Sequence, residues 1–200
     1  MDFVGIKNLH IAEVTTDTAE AYETGTPTRL TRIAEISQTT EQAQNVVYYD
    51  DVAAYAVNSL GATTLNVTGE GLTLENLAKV MGATIENGML VDSGEPSTKS
   101  YAVSFEADYV GGGTRFYNFL KCSISVPDES SKSKDAGTDT TNQTLTITCI
   151  NTTHKFASTG KTCKRIISDT ATAEGEIDLS KWYDKVITPD NAATEFAVTQ

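Results

Sequence analysis

Two alternating runs joined by three glycines constrain this chain more than any other feature. Tyr101, Val103, Phe105, Ala107 and Tyr109 fall on one side of the first run, and Ala102, Ser104, Glu106 and Asp108 on the other. A period of two marks a strand with one face buried. Gly111-Gly112-Gly113 follows, and a second alternating run over 115–126 returns. Glycine adopts the positive φ angles of a tight turn, so the pair predicts a long hairpin. Pro127 ends it, because proline cannot donate to a ladder.

The same reading places strands over 144–150 and 162–168, with shorter ones at 5–14, 29–36 and 63–68. Threonine is abundant throughout, as suits strands with one wet face. One helix is predicted: Thr73 is a good N-cap, Leu74, Leu77, Ala78 and Met81 recur at helical spacing, and Gly82 sits where a helix stops. Its narrow apolar stripe should lie against a sheet. Residues 39–56, polar at first and then bearing Val46, Val47, Tyr48 and Tyr49 beside Asp50 and Asp51, read as a long loop leaving the domain. Residues 128–142, almost without apolar side chains, read as a surface flap. Residues 181–200 carry the only tryptophan, then Pro189 and small polar residues, and read as an extended arm. The expectation is a single domain over 1–200, mainly β, with one packed helix, a long loop and terminal arms.

Composition excludes several classes of function. Fifteen basic against 27 acidic residues give a net charge of −12, which opposes tight binding of nucleic-acid phosphates. No stretch is long or apolar enough to span a bilayer, and the first residues lack the charged head and apolar run of a secretory signal, so a soluble protein made in the cytoplasm is expected. Three cysteines without a close pair in sequence, and two histidines, His10 and His154, argue against a disulfide framework or a zinc site. Cys122 is placed on the alternating face of Phe116, Leu120, Ile124 and Val126, and Cys149 on that of Leu145 and Ile147, both as small buried hydrophobes.

No catalytic constellation stands out, and neither enzymatic activity nor a cofactor is expected. Gly-x-Ser-x-Gly is absent. The triple glycine is followed by Thr114 and Arg115 rather than the Gly-Lys-Ser/Thr that cradles phosphates. Asp50-Asp51, with Glu41 upstream, lack the spacing of an EF-hand and read first as a solvated acidic loop. Trp182 with Tyr183 could stack on a ligand, but anchoring a terminal arm is the more economical reading.

The run Val4-Gly5-Ile6-Lys7-Asn8-Leu9-His10 resembles the opening signature of the major tail proteins of siphophages that infect Gram-positive bacteria. The resemblance continues in order through Tyr48-Tyr49-Asp50-Asp51, Leu60-Gly61, the helix from Leu74 to Gly82 and Asn87-Gly88-Met89-Leu90-Val91. It extends to the long hairpin with Pro127, to Gln143-Thr144-Leu145, and to Trp182-Tyr183-Asp184-Lys185-Val186 with Pro189. The chain departs from the family in Tyr-Tyr-Asp for the commoner Tyr-Ala-Asp, in Trp-Tyr for two phenylalanines, and over 151–176.

The resemblance implies a β-sandwich or barrel of the tail-tube kind with a flanking helix. Six subunits would close into a ring, and rings would stack into the tube through which double-stranded DNA leaves the virion. It implies self-association, a tape-measure protein inside the tube, a terminator at one end and baseplate or tail-tip proteins at the other. DNA would be transient cargo, with no membrane partner, in a virion tail assembled in the host cytoplasm. Glu106 and Asp108 are then candidates for the lumen, and Tyr48, Tyr49, Asp50, Asp51, Trp182 and Tyr183 for contacts between subunits or rings. The other reading is a β-sandwich for phage surface decoration or adhesion, which shares the strands and acidity but does not need the N-terminal run.

Overall fold

The computed structural model describes residues 2–95, 97–127 and 142–198. In chain order these form β1 (Phe3–Asp17), β2 (Tyr22–Thr24), β3 (Thr28–Thr31), β4 (Ile33–Tyr49), β5 (Val52–Gly69), α1 (Leu74–Met81), β6 (Thr84–Glu86), β7 (Met89–Val91), β8 (Tyr101–Tyr109), β9 (Thr114–Ile124), β10 (Gln143–Ile150), β11 (Arg165–Asp169), a 3-10 turn (Leu179–Lys181) and α2 (Ala192–Glu195). The chain is mainly β, as expected. All but the small β6–β7 hairpin belong to one antiparallel sheet, ordered β2-β1-β8-β9-β10-β5-β4, with β3 on β1 and β11 on β9.

The predicted hairpin is β8–β9, and the turn glycines Gly111, Gly112 and Gly113 have φ of 97°, 99° and 98°. The sheet curls until it meets itself. Leu9 of β1 opposes Thr31 of β3. Two residues on, Ile33 of β4 opposes Gly69 of β5. Only Arg32 separates β3 from β4, so one length of chain bridges the two ends of the sheet. Inside lie Leu9, Ile11, Leu65, Val67, Val103 and Phe119. Burial stabilises such side chains by about 1.5–3 kcal/mol each.

Helix α1 closes one opening of this barrel. The Thr73 hydroxyl accepts from the Asn76 amide, and Gly82, at φ 71°, ends the helix. The Tyr101 hydroxyl donates to the Lys79 carbonyl at 2.5 Å and pins the helix to β8. The inward residues are Ala78 and Val80, whereas Leu74, read as part of the apolar stripe, is exposed. The stripe is thus rotated toward the helix C-terminus, where β8 receives it.

Four expectations are corrected. First, β8 is buried on both faces: Ala102, Ser104 and Glu106, read as the wet side, are as enclosed as Val103 and Phe105. Second, what covers them is the C-terminal segment, read as an extended arm over 181–200. Trp182, Val186, Ile187 and Phe196 are all buried against the outside of the barrel. Third, β9 does not keep a single alternation. Tyr101 opposes Cys122 while Val103 opposes Phe119, so Leu120 and Lys121 together face Ala102 in a bulge. The face switches there. Phe119 and Cys122 point into the barrel, and Leu120 points out to Phe156 and Val186. Fourth, residues 39–56 are not a loop but the distal part of a hairpin, β4–β5. The flap expected over 128–142 lies, Asn142 apart, outside the described residues.

Asp17 fastens the outer layer to the barrel. Its side chain is only 6% exposed and takes an ion pair from Lys121 at 2.5 Å. It also accepts from the backbone amides of Thr153 and His154, each at 2.9 Å. Desolvation works to raise the pKa of this carboxyl, but the Lys121 and amide hydrogen bonds outweigh it and hold it below its ordinary value of 3.8. A depressed carboxylate stabilises the fold above its unfolded value, near 4, and that contribution is lost as pH falls through the folded value. The Asp17→Asn variant should therefore melt below the parent at pH 7 and converge with it under strongly acid conditions. Thermal melts in a pH series check this, and a gap unchanged at acid pH counts against it.

Candidate assembly surfaces

Beyond a bulge at Glu41, the β4–β5 hairpin leaves the body. Thr40 opposes Thr63 and Gln42 opposes Leu60, so Glu41 faces both Gly61 and Ala62. The Lys164 ammonium donates to the Gly61 carbonyl at 2.6 Å and braces this point from the outer layer. On the body side, Thr63 and Leu65 are fully buried. On the far side nearly every residue is exposed. Tyr49, at the tip, lies about nine strand steps beyond Thr40, a reach of about 30 Å at strand rise.

The projection is apolar on both faces. By register Val47, Tyr55 and Val57 share one face, while Val46 and Tyr48 share the other. Tyr48, Tyr49, Val52, Tyr55, Val57 and Leu60 are each more than half exposed. The Tyr49 and Tyr55 rings lie 6.2 Å apart. Tyr49 pairs with Val52 across a two-residue turn in which Asp50 and Asp51 have φ of 50° and 61°. Two positive φ angles define the hairpin turn whose twist matches the strands, and aspartate tolerates them better than most residues. The adjacent aspartates are thus a turn, and the expected contact residues Tyr48, Tyr49, Asp50 and Asp51 stand together at its exposed end.

Of the other expected site residues, Trp182, Tyr183 and Glu106 face their own chain. Trp182 is 1% exposed, against Phe116 with ring centroids 5.3 Å apart. The Tyr183 ring lies against His10 with centroids 4.3 Å apart and planes tilted by 33°, and its hydroxyl donates to Glu106 at 3.3 Å. The Glu106 side chain also accepts from the Asn8 amide at 2.8 Å and is covered. Tyr183 and Asn8 close over it, so its carboxylate lies beneath the surface of the chain. Asp108 does reach solvent, but Lys7 lies 2.8 Å from it. The Lys7 and Thr114 hydrogen bonds hold the Asp108 carboxyl below its ordinary range.

Sequence reasoning missed Asn8. It lies in a bulge of β1, at φ 60°, which turns its side chain onto Glu106. The signal was present as an asparagine inside an otherwise alternating strand. The N-terminal run Val4–His10 and the C-terminal Trp182-Tyr183 pair therefore meet around one buried carboxylate.

Among protein-family models none matches the chain. Among curated proteins no match is found. Six chains of solved structures match. One comes from the cryo-EM structure of the anti-feeding prophage baseplate, 6-fold symmetrised. The match covers 84% of this chain and 96% of that one, at 9% identity and a TM-score of 0.40. That likeness is too loose to transfer an activity.

Two variants probe these sites. Asp51→Gly removes a left-handed non-glycine residue and should stabilise the projecting hairpin by about 1 kcal/mol. Amide exchange over 44–57 should then slow roughly five-fold; unchanged exchange would speak against the turn. Asn8→Ala loses both the Glu106 hydrogen bond and the tolerance of positive φ, whereas Asn8→Gly loses only the first. Urea unfolding should rank parent, Gly, then Ala, the last two about 1 kcal/mol apart.

Proposed function

We propose that this chain is a structural, non-enzymatic virion protein of the siphophage major tail protein kind. Six copies close into a ring, and the rings stack into the tube that conducts double-stranded DNA. The observation that carries this reading is the β4–β5 projection. It reaches about 30 Å past the body, is apolar on both faces, and is covered by none of the described residues. An apolar strand pair of that length is a hazard to a solitary protein and a ready contact in a polymer.

Stacking needs two kinds of contact, one that closes about an axis and one that repeats along it. The projection is long enough to reach a neighbouring ring, with Tyr48, Tyr49, Asp50 and Asp51 leading. The ordered run of motifs from Val4 to Pro189 supports the same assignment. So does the net charge of −12, because a conduit must let phosphates pass without holding them. Partners on this reading are copies of the chain, a tape-measure protein within the growing tube, a terminator, and baseplate or tail-tip proteins. The protein resides in the virion tail and is assembled in the host cytoplasm.

Negative-stain microscopy of the purified protein across a concentration series tests the proposal. Hollow tubes or stacked rings are expected, alone or once tail-tip proteins nucleate them. A variant with 43–58 replaced by an Asn-Gly turn should keep a cooperative melt and form no stacks. A parent that stays a monomer or trimer with tail-tip proteins present would favour the surface-decoration reading instead.

A further inference from the structure

Cys122 of β9 and Cys149 of β10 lie directly opposite one another in an antiparallel ladder with unbroken register. Farther along the same ladder the Ser125 amide donates to the Thr146 carbonyl at 2.9 Å, which makes those residues a hydrogen-bonded pair. Hydrogen-bonded and non-hydrogen-bonded pairs alternate. Three steps back, Cys122 and Cys149 are therefore a non-hydrogen-bonded pair. Such pairs bring the Cα atoms to about 4.5 Å and the side chains closest together. That spacing falls inside the window of roughly 4.4–6.8 Å that a disulfide requires.

The Sγ atoms are 2.7 Å apart, and both residues are buried in the barrel. Cys163 is of another kind. It is half-buried in the outer layer, with its thiol donating to the Arg165 carbonyl at 3.4 Å.

We propose that Cys122 and Cys149 form a modification site, a dithiol that a small-molecule disulfide such as oxidised glutathione converts into a cross-strand disulfide compatible with the native register of the sheet. One cysteine, as thiolate, attacks a glutathione sulfur, forming a mixed disulfide and releasing one glutathione thiolate. The second cysteine attacks the protein sulfur of that mixed disulfide, forming the Cys122–Cys149 bond and releasing the second glutathione. The two thiol protons pass to the released thiolates; the protein loses two electrons and the glutathione disulfide gains them.

Access governs the rate. Burial pushes the Cys122 thiol well up, so little thiolate forms in the closed barrel. Oxidation thus proceeds while β9 and β10 are parting or not yet joined, and the finished bond is shielded from reductant. It ties residue 122 to residue 149 and so restricts the unfolded chain.

The test refolds the full chain from denaturant in a glutathione redox buffer, alkylates free thiols, and digests without reduction. The expected products are a linked Cys122–Cys149 peptide and an alkylated Cys163. The oxidised protein should melt several degrees above the same sample given reductant. Cys163→Ala should behave alike, and Cys149→Ala should lose the response to oxidant. Three alkylated cysteines, a bond to Cys163, or a melting point lowered by oxidation would each overturn the proposal. Should Cys149→Ala fail to fold, the peptide map of Cys163→Ala decides between the two results.

Discussion

Burying β8 on both faces sets two different chemical problems, and the rest of the molecule is arranged around solving them. Toward the barrel, Val103 and Phe105 need only apolar neighbours, which β1, β5, β9 and β10 provide. Outward, Ser104 and Glu106 carry polar atoms that lose water when covered, at a cost unless each finds a partner. Ser104 donates to Asn118, whose amide in turn donates to the Ile187 carbonyl at 2.8 Å. Glu106 takes Asn8 on one side and Tyr183 on the other. The C-terminal segment is therefore a second layer that must be positioned by hydrogen bonds as well as by Trp182 and Phe196. Asp17 and its backbone partners do the same service at the opposite end of β1.

The elements legible in the sequence are those whose signal is local. The β8–β9 hairpin announces itself by period two and a glycine turn, and α1 by Thr73 and Gly82. The outer face of β8 could not be read that way, because Ala102, Ser104, Glu106 and Asp108 are the residues a solvated face also uses. Their partners lie far off, Asn8 being 98 residues from Glu106. The β9 bulge was hidden for a related reason: Phe116, Leu120 and Ile124 continue an apolar spacing, and only the pairing with β8 reveals that it changes face. The β4–β5 hairpin was obscured by its glutamines, asparagine and glutamate, which weaken alternation, and by a turn built from aspartates. Of the candidate site, the cluster at Tyr48–Asp51 was legible as a group. Trp182 was legible as an anchor, but what it anchors to was not.

Body and projection differ in the same chain. In the body, a continuous apolar core is enclosed between the strands, and the covered carboxylates of Asp17 and Glu106 are partnered. Past Glu41, apolar side chains stand in water on both sides of a two-stranded ribbon, a form that is marginal by itself. The bulge at Gly61 and the Lys164 brace mark the line between the two regimes. Substitutions on the body side act on folding, and those beyond it leave the barrel core untouched.

The long span between Asn8 and Glu106 has a consequence for the order in which a nascent chain acquires structure. The β4–β5 hairpin needs only neighbours in sequence and closes early, whereas β1 waits for β8 and the outer face of β8 waits for residues near 187. Loops of that length must be closed before their contacts return any stability. During synthesis all the residues of the sticky ribbon are thus present while the strands that complete the barrel beneath it are still to come. Association between two growing chains could start from a piece that cannot yet be held in place, and high local concentration on one messenger would be the most hazardous moment in the life of this protein.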